Sequence, residues 1–200
     1  MKSATETEVK IRLADRGAAR RAIERAGFHV SAARQFESNT IYDTRDFGLR
    51  RQQMILRLRE AGETRVITWK GPRQAGPHKS RPELETSVGS VDTLRGIFTQ
   101  LGYRPVFRYE KYRTEFTAEG APGVITLDET PIGDFLELEG PGDWIDQTAR
   151  QLGFSEPDYI LDSYGRLYVA ECERRGLEPT DMVFASNSSE TRRESAPRTP

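Results

Sequence analysis

Residues 5–13 read TETEVKIRL, a stretch in which charged side chains alternate with apolar ones. Successive residues of a β-strand point to opposite faces, so this alternation predicts a strand with one charged face and one apolar face. Further stretches have strand-like patterns, and their charged side chains also tend to share one face. These stretches cover residues 34–43, 53–60, 64–70, 80–88, 103–117, 122–129 and 133–140.

Helical patterns lie between the predicted strands. Asp15 and Ser90 are side chains of the kind that cap helix N-termini, and a glycine follows three of the helical stretches, where helices commonly end. Amphipathic helices must bury their apolar stripes, and the apolar strand faces are the only large surface available for this. The predicted helices cover residues 15–26, 90–101, 142–152 and 162–175.

The charged strand faces must then point away from the helices, and two architectures are compatible with this arrangement. An open sheet would expose the charges to bulk water, as antiparallel sheets often do. A sheet that curls would instead enclose them. The enrichment of these faces in Arg, Lys and Glu, rather than Ser, Thr and Gln, favours enclosure, and eight strands suffice to close a barrel around a small ligand. We therefore predict an α+β fold: a closed eight-stranded antiparallel β-barrel, forming a tunnel, with amphipathic helices outside.

Composition restricts the class of protein. The 200 residues include 30 Lys and Arg and 31 Asp and Glu, so the formal net charge of −1 argues against a nucleic-acid-coating protein. No apolar run approaches the length of about 18 residues that could span a membrane, and the N-terminus does not resemble a signal peptide. A cytoplasmic protein without nucleic-acid or membrane partners is expected. Residues 1–177 are predicted to form the domain, and the polar segment 178–200 to be disordered.

Charges enclosed in a barrel lose hydration, so they must pair with each other or bind a ligand. Basic side chains suit phosphoryl oxygens, and carboxylates suit Mg²⁺ or Mn²⁺. Together they predict a polyphosphate chain with its metal. His29 and His78 have no evident acidic partner and are not expected to be catalytic. The enclosed basic residues are Lys10, Arg57, Arg59, Lys70, Arg81, Lys111 and Arg113, and the acids are Glu6, Glu8, Glu83, Glu85, Asp128, Glu137 and Glu139.

A set of ordered motifs resembles the CYTH superfamily, also called triphosphate tunnel metalloenzymes, which includes class IV adenylyl cyclases, thiamine triphosphatases and inorganic triphosphatases. The first motif, Glu6-x-Glu8-x-Lys10, is weak alone, but the others follow it in order over roughly residues 5–170. They are Tyr42-Asp43-Thr44, Leu49-Arg50, Leu56-Arg57-Leu58-Arg59, Thr68-Trp69-Lys70-Gly71-Pro72, Arg81-x-Glu83-x-Glu85, Lys111-x-Arg113, Asp128, Gly133-x-Phe135-x-Glu137-x-Glu139 and Ser163-Tyr164.

The resemblance implies a role for each charged group. Divalent metal, Mg²⁺ or Mn²⁺, would be held by Glu6, Glu8, Glu137 and Glu139, with Asp128 as a further ligand. Triphosphate would be held by Lys10, Arg57, Arg59, Lys70, Lys111 and Arg113, with Arg81 less securely placed because it follows a flexible loop. Glu83, Glu85 and Asp128 would hold a second metal or orient these cations. Lys10, Glu85 and Asp128 are expected to be catalytic.

The reaction stays open between two outcomes. A class IV adenylyl cyclase would convert ATP to cyclic AMP and pyrophosphate, whereas a triphosphatase would hydrolyse ATP, thiamine triphosphate or tripolyphosphate. A non-catalytic module that binds polyphosphate or nucleotide on the same barrel is the alternative of another class. The metal-ligand carboxylates favour an enzyme, because a binding module could dispense with them. Either a monomer or a homodimer is compatible with the sequence.

Overall fold

The structure is a computed structural model that describes residues 4–185. Eight antiparallel strands form a closed barrel in the order β1-β5-β4-β3-β2-β6-β7-β8, because β1 pairs with both β5 and β8. The prediction of a closed barrel is therefore confirmed. The strands are β1 (Ala4–Leu13), β2 (His29–Thr44), β3 (Ile55–Ala61), β4 (Thr64–Lys70), β5 (Lys79–Ser87), β6 (Tyr103–Thr117), β7 (Val124–Thr130) and β8 (Gly133–Glu139).

Five α-helices accompany the barrel in the described residues. The caps predicted for two of them are present, since the side chain of Asp15 accepts a hydrogen bond from the Ala18 amide and that of Ser90 accepts one from the Thr93 amide. None of the helices within residues 4–185 is long and apolar enough to cross a bilayer. The helices are α1 (Arg16–Arg25), α2 (Gly48–Arg51), α3 (Val91–Gln100), α4 (Gly142–Gln151) and α5 (Tyr164–Arg175).

The hydrophobic core lies outside the barrel. Val9 and Ile11 of β1 point outward and pack with Ile23 of α1 and Ile145 of α4, and all four are almost completely buried. Lys10, between Val9 and Ile11 in sequence, points into the barrel and is only 2% exposed. On the other side, Phe98 of α3 packs on Tyr42 and Leu58. The charged interior predicted from the alternating pattern is therefore present, and burial of the outer faces by the helices holds the barrel.

One end of the barrel is closed by an apolar cluster. Tyr164, at the start of α5, packs there with Tyr109, Phe135 and Met182, and all four are buried. Towards the other end, the inward-facing carboxylates become more exposed, and the Glu85 side chain reaches 43% exposure. A ligand of the interior would therefore enter from the end that carries the exposed carboxylates.

The chain after α5 covers an edge of β6. Met182 pairs with β6 through two backbone hydrogen bonds of 2.9 Å, to Arg108 and Glu110. These bonds satisfy a part of β6 that β7 does not reach, which protects an otherwise open strand edge. The segment predicted to be disordered, 178–200, thus includes these packed residues. Its remainder, 186–200, lies outside the described residues.

Two local features differ from the sequence-based prediction. Strand β2 begins at His29 rather than near residue 34, because its first residues pair with β6 through bulges that break the alternating pattern. The short helix α2 was not predicted at all. It is held by the carboxylate of Asp43, which accepts hydrogen bonds from the amides of Leu49 (2.9 Å) and Arg50 (3.0 Å).

Candidate functional site

Asp128 lies at the centre of the interior and is fully buried. Lys111 donates to its carboxylate at 2.9 Å, and Arg113 forms two bonds with it, at 2.7 and 2.6 Å. The hydroxyl of Tyr164 donates a fourth bond, at 2.8 Å. These contacts occupy both carboxylate oxygens, so Asp128 as placed orients the neighbouring cations.

Lys10 and Glu137 form a second buried ion pair, 2.5 Å apart. Glu137 also pairs with Arg113, while Glu8 lies 3.6 Å from Lys10 and pairs closely with Lys79. Burial by itself would lower the pKa of Lys10, but Glu137 and Glu8 raise it overall. Lys10 therefore remains a cation at neutral pH despite its burial.

Nearer the open end, Lys70 binds Glu6 at 2.6 Å and lies 3.1 Å from Glu83. Burial and the neighbouring Glu8 raise the pKa of Glu6 to about 8, even though Lys70 opposes the shift. Burial and Glu8 also raise the pKa of Glu139. Carboxylates at this end of the barrel thus exceed the cations that could balance them.

Guanidinium groups line another part of the wall. Arg57 donates to Thr68 at 3.2 Å, and Thr68 in turn donates to Glu85 at 2.9 Å. Several guanidinium nitrogens are buried without a hydrogen-bond partner among residues 4–185: the Nε atoms of Arg57, Arg59 and Arg81, and Nη1 of Arg81. Buried donors without acceptors are uncommon in native interiors, so these atoms indicate a place for an anionic ligand.

The residues that would hold a divalent metal have suitable chemistry. Glu8 and Glu139 are direct cross-strand neighbours, and Glu6 shares the inner face of β1 with Glu8. Carboxylate oxygens are the ligands that Mg²⁺ and Mn²⁺ prefer. As the side chains are placed, no three carboxylate, imidazole or thiol groups within residues 4–185 converge on one point, because each of these acids turns towards a cation or solvent. Burial and the neighbouring Glu8 raise the pKa values of Glu6 and Glu139, so an added cation would favour their ionised forms.

The structure brings most of the predicted residues to one interior, but at different levels. Lys10, Glu137, Asp128, Lys111 and Arg113 form the buried centre described above. The groups nearer the open end are Glu6, Glu8, Lys70, Arg81, Glu83 and Glu139, while Arg57, Arg59 and Glu85 lie along β3 and β5. Asp128 lies opposite Phe135, four residues along β8 from Glu139, and is therefore away from the Glu8–Glu139 pair.

Several interior residues were missed from the sequence. Glu37 is buried, and its carboxylate lies 3.5 Å from Lys111 and 3.8 Å from Arg59. Burial alone would raise the pKa of Glu37, but these cations lower it to about 2. Lys79 could have been found, because it shares the face of Arg81 on β5. Tyr164 was named only as part of the Ser163-Tyr164 motif, since nothing in a helical pattern shows that its first residue enters a barrel.

His78 is not isolated, so that interpretation of the sequence was wrong. Its Nε2 donates to the carboxylate of Asp146 on α4 at 2.8 Å, and the Tyr159 hydroxyl donates to the same oxygen at 3.0 Å. The partners lie 68 positions apart, which is why the sequence does not reveal them. This cluster fastens the loop before β5 to α4, and Lys79 follows His78 directly.

Comparisons with known proteins agree with this geometry. A Methanocaldococcus jannaschii protein named "Putative adenylate cyclase" is 28% identical over 134 residues, which cover 67% of this chain and 75% of that protein. A Vibrio parahaemolyticus structure with a similar name has a TM-score of 0.73 at 23% identity, covering 83% of this chain and 98% of that one. A Hippeastrum structure, described as a "putative adenylyl cyclase" that reveals a dominant triphosphatase activity, has a TM-score of 0.57 at 16% identity, covering 87% of this chain and 97% of that one.

The two structural matches have low sequence identity and therefore support the fold alone. The comparison with family models shows, in addition, which family the chain belongs to. The model of the CYTH domain matches residues 4–164, which include all eight strands and the first residue of α5. Since this match spans most of the chain, the protein belongs to the CYTH domain family.

Proposed function

We propose that the protein is a divalent-metal-dependent enzyme that binds a triphosphate inside the barrel and catalyses a phosphoryl- or nucleotidyl-transfer reaction on it. Three guanidinium groups carry this proposal, because Arg57, Arg59 and Arg81 each keep a buried N–H donor without an acceptor among residues 4–185. Non-bridging phosphate oxygens would accept from these donors and bring the counter-charge that the site requires.

Both candidate reactions use the same stabilisation. In hydrolysis, water attacks the terminal phosphorus and the bond to the next bridging oxygen breaks. In cyclisation, the 3′-hydroxyl of ATP attacks the α-phosphorus and pyrophosphate leaves. Negative charge develops on phosphate oxygens in either case, so Lys10, Arg57 and Lys111 are proposed to neutralise it from fixed positions.

The divalent cation would be held by Glu6, Glu8 and Glu139, with Glu137 nearby. When bound, it supplies Lewis-acid neutralisation of the phosphate oxygens. Asp128 is proposed to act by orienting Lys111 and Arg113, since both of its oxygens are already engaged. Glu85 remains a candidate for orienting the nucleophile, because its side chain is partly exposed near Arg57 and Arg59.

The names of the related proteins support both reactions. The archaeal relative is named as an adenylate cyclase, and the plant structure is described by a dominant triphosphatase activity. Product analysis decides between them. The protein is incubated with Mg²⁺ or Mn²⁺ and ATP, thiamine triphosphate or tripolyphosphate, with EDTA as the control. Cyclic AMP with pyrophosphate identifies a cyclase, and inorganic phosphate identifies a triphosphatase. Binding without any product would instead identify a non-catalytic module.

Replacing Arg57 with alanine (Arg57→Ala) is expected to raise KM for the triphosphate by about tenfold or more, because one charge-assisted contact to the phosphate is lost. Arg57→Lys should recover only part of the loss, since an ammonium lacks the two-pronged geometry of the guanidinium. Steady-state kinetics of both variants measure the effect.

The matched control is Arg65→Ala. Arg65 lies on the outer face of β4 and donates hydrogen bonds to the carbonyl oxygens of Gly62 and Thr64. Its removal should leave KM unchanged, and circular dichroism should show that all variants are folded. If Arg57→Ala has the KM and kcat of the unaltered protein, Arg57 does not bind the substrate.

A further inference from the structure

Asn39 lies on the inner face of β2 and is completely buried. Its neighbours across the strands are Arg59 on β3 and Tyr109 on β6. Neither its Nδ2 donor nor its Oδ1 acceptor has a hydrogen-bond partner among residues 4–185. The side chain is therefore as thoroughly enclosed as Asp128, yet nothing in the described chain engages it.

A buried amide that makes no hydrogen bond does not contribute to holding the fold. It has lost its contacts with water and gained none in return, and such groups are few in native interiors. The residues around it have the same property, because Arg59 and Arg57 each keep an Nε without a partner. These unengaged donors on β2 and β3 belong to one stretch of the inner wall.

The position of Asn39 along the barrel limits what could reach it. Ile41, two residues further on the same face, packs in the apolar cluster that closes the inner end, as does Tyr109. Asn39 is thus next to the closed end of the barrel. A molecule entering between the exposed carboxylates would bring only its leading group this far.

We propose that Asn39 binds the innermost phosphoryl group of the triphosphate by donating its Nδ2–H to a non-bridging oxygen. This inference rests on the proposed function, which supplies the class of ligand, a triphosphate. A neutral amide adds a donor for the oxygen without adding another positive charge beside Arg57 and Arg59. The group that reaches the closed end is in this way held by hydrogen bonds from three side chains.

Asn39→Leu tests the proposal because ligand binding and folding should respond in opposite directions. Leucine has nearly the size of asparagine and no unsatisfied polar atoms, so the unfolding temperature without ligand should stay equal or rise. Affinity for inorganic tripolyphosphate should fall about tenfold to a hundredfold, the range for a hydrogen bond to a charged acceptor. Titration calorimetry in EDTA, where turnover is prevented, and in parallel with Mg²⁺ measures the affinity, and thermal unfolding measures the stability.

Thr40→Val is the matched control, since Thr40 is the next residue and faces away from the interior; it should change neither quantity. If Asn39→Leu does not fold, Asn39→Asp decides instead, because it keeps the shape and its charge should repel the phosphate. Tripolyphosphate affinity that is unchanged in the folded variant overturns the role of Asn39 and leaves the proposed function standing. Failure of the unaltered protein to bind tripolyphosphate both in EDTA and with Mg²⁺ counts against the proposed function itself.

Discussion

Replacing Glu8 with glutamine (Glu8→Gln) is expected to lower metal-dependent turnover of the triphosphate by about a hundredfold or more. Glu8 faces Glu139 across the strands and is one of the proposed metal ligands. An uncharged amide binds a hard divalent cation far more weakly than a carboxylate does. The Mg²⁺ concentration required for half-maximal turnover should therefore rise as well, and higher Mg²⁺ should restore part of the rate.

The barrel should remain folded in this variant. Lys10 keeps its closer partner, Glu137, at 2.5 Å, and the amide oxygen of the glutamine can still accept a hydrogen bond from Lys79, so neither lysine is left alone in the interior. Burial opposes ionisation of Glu8, but Lys79 and Lys10 lower its pKa, so glutamine removes a charge that is present at neutral pH. Unfolding by heat or denaturant separates loss of activity from loss of fold.

Glu60→Gln provides the control for Glu8→Gln. Glu60 also lies on a barrel strand, but it faces outward and binds Arg95 of α3 at 2.8 Å. Its ion pair is near the surface and contributes at most about 1 kcal/mol, so turnover and the Mg²⁺ requirement should both be unchanged. If Glu8→Gln shows the same rates and Mg²⁺ dependence as Glu60→Gln, Glu8 is not a metal ligand.

The alternating pattern of the strands predicted the main feature of the fold. Period-two alternation assigns each side chain to a face, and the helices need the apolar faces, so Lys10 and Asp128 could be placed on the side opposite to Val9 and Leu127. The order of the strands around the barrel is a different matter. It depends on pairings between distant segments, such as β1 with β5, for which alternation contains no information.

The partner of each charged group could not be predicted for the same reason. Arg113 meets both Asp128 and Glu137 only because β6, β7 and β8 are neighbours. Tyr164 reaches Asp128 from a helix, whose pattern does not show that its first residue caps the barrel. His78 and Asp146 come together only after the β4–β5 loop folds against α4. Sequence alone thus predicted which side chains face the interior better than which of them contact one another.

Replacing Asp128 with asparagine (Asp128→Asn) is expected to destabilise the folded protein by about 3 kcal/mol. Asparagine keeps the shape of aspartate and removes its charge, so Lys111 and Arg113 lose their shared carboxylate inside the barrel. Glu37 still pairs with Lys111 and Glu137 still pairs with Arg113, so part of the positive charge remains compensated. The expected loss of stability is therefore at the lower end of the range for a broken buried ion pair. For a chain of this length, the unfolding temperature should fall by roughly 10 °C.

Tyr164→Phe separates the charge of Asp128 from its hydrogen bonds. This variant removes one neutral donor from Asp128 and leaves both cations in place, so the expected loss is only about 1 kcal/mol. Burial and the nearby Asp128 raise the pKa of Tyr164, and the hydroxyl therefore stays protonated as a donor over the ordinary pH range. Equal losses in Tyr164→Phe and Asp128→Asn would show that a hydrogen bond, rather than charge, is what matters.

A double variant identifies the cause directly. If Asp128→Asn is unstable because it leaves surplus positive charge in the interior, removing one cation should restore stability. Lys111→Met does this with a side chain of similar length, and Arg113 still has Glu137. Adding Lys111→Met to Asp128→Asn should therefore recover at least half of the lost unfolding free energy, although Lys111→Met alone is destabilising. Losses that simply add would contradict charge compensation, because contacting residues that share one electrostatic role cannot act independently.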